Sequence, residues 1–270
     1  MVKIALGIEY DGAHYCGWQS QPSGCAVQDV LRGALTSIAG EPIQVHAAGR
    51  TDSGVHALGQ VVHFETSAQR PQSAWVRGVN ALLPNSIRIR WAHEVEHSFH
   101  ARFSAQRRRY RYLIYNAPVA SALLDGKAGW FHAPLDIAQM QRGAQFLLGT
   151  HDFSSFRAAE CQARSAVKQL ERLSIARHGN LLVLDFEANA FLHHMVRNIV
   201  GALVYVGAGR QAAEWMKELL QARDRSRAAP TFAAAGLYLT GVDYPPEFAL
   251  PNAPSDALDA WVDLFTDALG

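Results

Sequence analysis

Several things are scarce in this chain of 270 residues, and each scarcity excludes something. No hydrophobic run approaches the roughly 20 apolar residues of a membrane-spanning helix. Met1-Val2-Lys3 leads straight into a strand pattern, so no signal peptide is visible. The three cysteines, Cys16, Cys25 and Cys161, lack the paired C-x-x-C spacing of a zinc site. Their odd number fits a reduced, cytoplasmic setting in which they are small core or surface residues. There is no P-loop and no Rossmann glycine pattern, hence no sign of a nucleotide cofactor. Net charge is only +1, which taken globally does not announce a nucleic-acid binder.

The distribution of charge says more. The tail from Pro251 to Gly270 holds Asp256, Asp259, Asp263 and Asp267 and no Lys or Arg, which leaves about +5 on residues 1–250. Arginines cluster as Arg102, Arg107, Arg108, Arg109 and Arg111, and again as Arg223, Arg225 and Arg227. Such clusters suit phosphate contacts, and they also occur as solvated faces.

Periodicity divides the chain. Lys3 to Tyr10 alternates as a half-buried strand. Val27 to Ile38 follows helical spacing, with Gly40 placed to end the helix. Ile43 to His46 and Gln60 to Phe64 read as strands, Ala74 to Leu83 as a helix halted before Pro84, and Ile87 to His97 as a strand. The order strand, helix, strand, strand, helix, strand is ferredoxin-like. It recurs through a strand at Gln106–Tyr115, a helix at Ile137–Leu148 and strands at Val167–Ala176 and Leu181–Ala188. Helices at His194–Val206 and Ala212–Ala222 and a strand at Leu237–Tyr244 complete it. The expected fold is therefore α+β, with two ferredoxin-like halves. They span residues 1–103 and 104–250, followed by an acidic tail, 251–270.

His93-Glu94-Val95-Glu96-His97 matches the H-E-x-x-H zinc signature, which needs a helix so that both histidines share one face. Here Ile87, Ile89, Trp91, His93, Val95 and His97 alternate with strand period. On a strand the two histidines stand about 13 Å apart, too far to share a metal. A zinc hydrolase is accordingly disfavoured.

The remaining chemistry converges on Ala47-Ala48-Gly49-Arg50-Thr51-Asp52-Ser53-Gly54-Val55-His56-Ala57. Gly49 and Gly54 allow an irregular path between two strands. Arg50 and Asp52, two apart, point to the same side of an extended backbone. An arginine close to a carboxylate keeps it ionised and oriented, as a nucleophile or base requires. Asp-Ser-Gly is also an ordinary turn sequence, with the Asp bonding its own backbone. Arg197 opens an almost wholly apolar helix, where a guanidinium needs a carboxylate or phosphate partner. Asp52, Asp185 and Glu187 are the candidates. Tyr110 stands among arginines on a strand, either as a packed sheet residue or as an aromatic face for a base drawn out of a stack.

The run Gly49-Arg50-Thr51-Asp52-Ser53-Gly54-Val55-His56-Ala57 resembles the catalytic loop of the tRNA pseudouridine synthase A family. Tyr10-Asp11-Gly12, Gly17-Trp18-Gln19, Gln21-Pro22 and Val27-Gln28 are similar to its RNA-contacting loop. Arg108-Arg109-Tyr110-Arg111-Tyr112, Phe191-Leu192-His193-His194-Met195-Val196-Arg197 and Ala234-Ala235-Gly236-Leu237-Tyr238-Leu239 resemble its later motifs. Together they span Lys3 to about Tyr244. Ala13 and Ser165 stand where threonine is commoner in the family, and the tail has no match.

The resemblance implies a pseudouridine synthase fold with a largely antiparallel central sheet and a basic active-site cleft between the halves. It implies that Asp52 is the catalytic carboxylate and that Arg197 pairs with it. Tyr110 would stack on the target uracil, Arg50 would hold the flipped-out state, and Leu237 would line the base pocket. The implied reaction is isomerisation of uridine to pseudouridine at positions 38 to 40 of the tRNA anticodon stem-loop. Nothing is oxidised or activated by phosphate, so no cofactor and no metal is expected. The implied assembly is a homodimer without a membrane partner. A tRNA-binding folding helper that does not depend on catalysis is the alternative from another class.

Overall fold

The computed structural model describes residues 1–251, which fall into two compact units. One is Met1–Gln106 with the segment from Tyr238 onward, and the other is Arg107–Leu237. The acidic tail, from residue 252 on, lies outside the described residues.

The first unit follows the expected order. It has β1 (Val2–Tyr10), α1 (Val27–Ala39), β2 (His46–Ala47), β3 (His56–Thr66), a helix α2 that begins as a π-helical turn (Ala74–Gly78) and continues over Val79–Leu82, and β4 (Ile87–Val95). β1 runs antiparallel between β3 and β4, and β2 pairs antiparallel with β3. The resulting strand order, β4-β1-β3-β2, is the ferredoxin-like one. Ile4, Leu6, Ile8 and Tyr10 are buried as expected, but Lys3, Ala5 and Gly7 are buried too. β1 is therefore not the half-buried strand its alternation suggests: Ala5 on its other face lies in an apolar cluster with Phe99 and Ala101. α1 buries Val27, Leu31, Ala34, Leu35 and Ala39, and it ends at Gly40 in the left-handed conformation (φ 76°), whose N–H donates to Thr36 O. α2 stops where Leu83 turns extended ahead of Pro84.

Two strand boundaries move. Ile43 and Val45 are buried while Gln44 and His46 are exposed, so the alternation was real, but ladder pairing is limited to His46–Ala47. The reason is that this stretch bonds to α1 instead: Ile43 N–H donates to Thr36 Oγ1, and Gln28 Nε2 donates to Val45 O. β4 ends at Val95, and the strand form of His93-Glu94-Val95 removes the helical face that a zinc signature needs.

The last strand corrects the expected division at 103 and 250. β10 (Leu237–Asp243) runs parallel to β3 through Tyr238↔His56 and Leu239↔Ala57. Beyond it Tyr244 and Phe248 pack on Phe99 at 5.2 and 5.1 Å between ring centres. Tyr244 Oη donates to Ala101 O (2.6 Å), and Gln106 N–H donates to Asp243 O (2.9 Å). These rings join Ala5, Ala48, Val61 and Ala101 in one apolar cluster. Residues 238–251 thus complete the first unit, because its sheet face would be uncovered without them.

Beside that cluster lies His63, only 3% exposed. Its Nδ1 accepts the Ala101 N–H at 3.1 Å, and its ring stacks on His46 and abuts His100. Burial, then the neighbouring charges of His100, His46 and Lys3, push its pKa down to about 3. The folded chain therefore binds this proton more weakly than the unfolded chain, so His63 costs stability as pH falls below about 6.5 and increasingly so toward 3. Thermal unfolding measured from pH 7 to pH 4 is expected to show a shallower loss for His63→Gln than for the wild type. Parallel curves would contradict this.

The second unit contains β5 (Arg107–Asn116), β6 (Gly129–Phe131), α3 (Ile137–Gln145), β7 (Gly149–Asp152), β8 (Val167–His178), β9 (Leu181–Ala188), α4 (Met195–Gly207) and α5 (Trp215–Ala222). Its strands run in the order β5-β9-β8-β7, with β6 added parallel to β5. α3 is capped by Asp136, whose side chain accepts the Gln139 N–H, a contact worth about 1 kcal/mol. It ends three residues early because Leu147 and Leu148 make i→i−3 bonds that tighten the chain ahead of Gly149. α5 begins at Trp215, after turns that precede it. α4 is buried nearly all round, as its composition predicts. Both units are α+β, with helices packed against antiparallel strands.

Candidate active site

Gly49 to Val55 links β2 to β3 without regular structure. Thr51 is 6% exposed, whereas Asp52 is half-buried and Arg50 exposed, so the intervening side chain points inward and its two neighbours outward. This is the same-side placement of Arg50 and Asp52 expected from their spacing. The turn expected as an alternative is also present: Val55 N–H donates to Asp52 O at 3.1 Å, and Gly54 has φ 78°. The turn is thus part of the site's construction, and it leaves the Asp52 side chain half-buried.

A second segment, Asp11 to Gly24, is packed against this loop. Trp18 N–H donates to Thr51 O (2.9 Å), Ser53 Oγ donates to Tyr15 O (3.1 Å), and Gly12 N–H donates to His56 Nδ1 (3.1 Å). Two glycines make the approach possible. A Cβ at Gly12 would come within 1.9 Å of Val55 O. Gly17, at φ 91°, would place one 2.8 Å from Thr51 O. Trp18, 2% exposed, anchors the segment against Tyr10. Gln19 stays exposed next to it, as does Gln21, whose Nε2 donates to Cys16 O.

The same segment overturns one expectation. Cys16 and Cys25 form a disulfide, their Cα atoms 5.5 Å apart, and Cys16 N–H donates to Cys25 O. The loop folds back on itself and brings together two cysteines whose nine-residue separation gives no pairing signal. Only Cys161 is a free thiol, and it is buried. The cysteines therefore no longer argue for a reducing compartment.

In the second unit, Tyr110 lies on β5 opposite Phe186 of β9, 9% exposed, with Phe191 set edge-on to its ring at 5.0 Å. Arg197 is the third residue of α4 and half-buried. Its Nε donates to Phe232 O at 3.0 Å, and its own carbonyl accepts the Phe232 N–H. The two strand carboxylates that could have paired with it are engaged by other arginines. Asp185 receives Arg111 through two bonds of 2.7 and 3.3 Å, and Glu187 lies 3.3 Å from Arg107. Leu237, 5% exposed, opens β10 with its N–H bonded to Ala234 O.

Not every clustered arginine is available for phosphate. Arg225 is spent inside the unit, donating to Ala229 O, Asn198 Oδ1 and Thr231 Oγ1, where it serves the wholly buried Asn198. Sequence spacing could not separate such an internal arginine from a solvated one.

The polar residues beneath the loop were not singled out by the sequence. Tyr10, Gln60 and His56 are buried, and each bonds to the loop or to the segment packed on it. Their signal was weak, because a tyrosine or glutamine at a strand position reads as sheet filling.

The family model described as tRNA pseudouridine synthase matches residues 7–104 and 144–245. The chain is 58% identical over 253 residues to the tRNA pseudouridine synthase A of Thiobacillus denitrificans, covering 94% of this chain and 97% of that one. It is 61% identical over 252 residues to that of Chromobacterium violaceum, with 93% and 96% covered. To that of Burkholderia multivorans it is 54% identical over 266 residues, with 97% and 98% covered.

Proposed function

We propose, for a chain that belongs to the tRNA pseudouridine synthase A family and catalyses the isomerisation of uridine to pseudouridine in tRNA, that Asp52 performs this reaction on a flipped-out uridine at positions 38 to 40 of the anticodon stem-loop. The observation that carries the reading is the catalytic-type loop itself. Asp52 is held in a turn between two strands, its carboxylate half-buried and on the accessible side with Arg50.

The reaction breaks the N-glycosidic bond, turns the base and joins C5 to the sugar. An ionised Asp52 serves it by adding to C1′, by adding to uracil C6, or by removing the C2′ proton. Each route needs an oriented, charged carboxylate in a dry site. Arg197 is the proposed partner that keeps it so. Support comes from the likeness of its helix to the family motif and from the engagement of Asp185 and Glu187 by other arginines. Tyr110, already edge-on to Phe191, supplies a face for the uracil and a hydroxyl near C5. Arg50 steadies the extruded nucleotide, and Leu237 lines the pocket. A homodimer acting in the cytoplasm, where its tRNA substrate is matured, completes the reading.

The test is to map pseudouridine in a tRNA transcript that carries uridines at 38, 39 and 40 and elsewhere. Modification confined to those three positions is expected. Modification at other uridines, with these untouched, would overturn the assignment of the substrate site.

A further inference from the structure

At the Asp52 loop, three buried polar side chains, Tyr10, Thr51 and Gln60, tie the loop to the sheet beneath it. Tyr10, at the end of β1, is 2% exposed, and its hydroxyl lies 2.7 Å from Thr51 Oγ1. Gln60, on β3, has no exposed surface, and its Nε2 donates to Gly49 O at 2.7 Å. The Gln60 amide also lies beside the Tyr10 hydroxyl, where its N–H acts to lower the phenol's pKa, while Gln60 Oε1 is buried without a hydrogen-bond partner among the described residues. Tyr10 and Thr51 share one hydroxyl–hydroxyl bond, and Gln60 Nε2 ties the same strand region to Gly49 O. Burial outweighs the hydrogen bonds to the phenol and pushes its pKa up to about 12, so Tyr10 is protonated at neutral pH.

These bonds hold the loop at two points, Gly49 and Thr51, which flank Arg50 and stop one residue short of Asp52. Thr51 is held a second time through its carbonyl, which accepts the Trp18 N–H. A loop without ladder pairing would otherwise be the least constrained part of the unit.

We infer that Tyr10, Thr51 and Gln60 are positioning residues, which fix the backbone at Gly49 and Thr51 and so aim the Asp52 carboxylate at the uridine. The inference rests on Asp52 being the catalytic carboxylate. All three are buried beneath the loop surface. Their contribution is to the rate of the chemical step, where displacement of a reacting group by about 1 Å costs on the order of a hundredfold.

The experiment compares wild type, Tyr10→Phe, Thr51→Val, Thr51→Ser and Asp52→Asn. It reads single-turnover tritium release from tRNA labelled at uracil C5, the Kd for that tRNA and the melting temperature. Tyr10→Phe and Thr51→Val are expected to slow release by about ten- to a hundredfold, with Kd within about twofold. Thr51→Ser, which keeps the hydroxyl, is expected to stay within about threefold of wild type. A purely structural role would lower the melting temperature while leaving the rate of the bound complex unchanged.

Wild-type rates in both Tyr10→Phe and Thr51→Val, or equal slowing by Ser and Val at position 51, would overturn the inference. If Asp52→Asn also turns over normally, the catalytic reading has failed as well. If Asp52→Asn is inactive, only the positioning role falls.

Discussion

Asp52→Asn is expected to lower the rate of pseudouridine formation by about a thousandfold or more, with the tRNA Kd unchanged within about threefold. Asparagine has nearly the size of aspartate, and the turn uses the main chain at this position, since Asp52 O accepts the Val55 N–H. The loop therefore survives the change. What goes is the charge, and a neutral amide can neither attack carbon nor take a proton from C2′. Binding is spared because affinity for tRNA comes chiefly from contacts to phosphate, and a carboxylate facing phosphates repels them. Single-turnover kinetics with saturating enzyme separate the two quantities. A rate within tenfold of wild type would remove Asp52 from the chemistry.

The second large effect is expected at Arg197. Arg197→Lys should slow the chemical step by about a hundredfold although the charge is retained. The guanidinium donates Nε to Phe232 O, which fixes the plane of the fork that the proposed pairing with Asp52 requires. A lysine ammonium is a point charge on a flexible stem and cannot hold both partners in that geometry. Its surroundings also make a loose cation costly, because Met195, Val196, Ile199 and Val200 are buried. The expected signature is a fall in kcat with little change in KM, together with a modest fall in melting temperature. If Arg197 only packs α4 against the Phe232 segment, Arg197→Lys will lose stability while its folded fraction turns over at the wild-type rate.

Much of this was legible in the sequence, for identifiable reasons. Apolar alternation placed β1 and β4, whose Ile4, Leu6, Ile8, Ile87 and Ile89 are buried, although β1 buries its other face too, and the strand form of His93-Glu94-Val95 disposed of the zinc signature. Gly40 ended α1 because only a residue tolerant of positive φ fits there. The Gly49–Ala57 run marked the loop because its residue types and order are unusual together. What could not be read depended on contacts between distant parts of the chain. That Tyr244 and Phe248 cover Phe99 is invisible to local pattern, so the division into halves was drawn in the wrong place. The pairing of Cys16 with Cys25 follows from the fold of an irregular loop, for which periodicity offers no guide. The burial of Arg225 against Asn198 and the bonds from Tyr10 to Thr51 and from Gln60 to Gly49 likewise join residues well apart in the sequence.

The central claim is that this chain isomerises uridine in tRNA with its own side chains and is not merely a binder that helps tRNA fold. The most direct measurement incubates the purified chain, without added cofactor, with unmodified tRNA tritiated at uracil C5 and follows tritium release alongside nucleoside analysis. Release of one tritium for each pseudouridine formed, over many turnovers, is the result expected. Tight tRNA binding with neither tritium release nor pseudouridine would contradict the account and favour the folding helper.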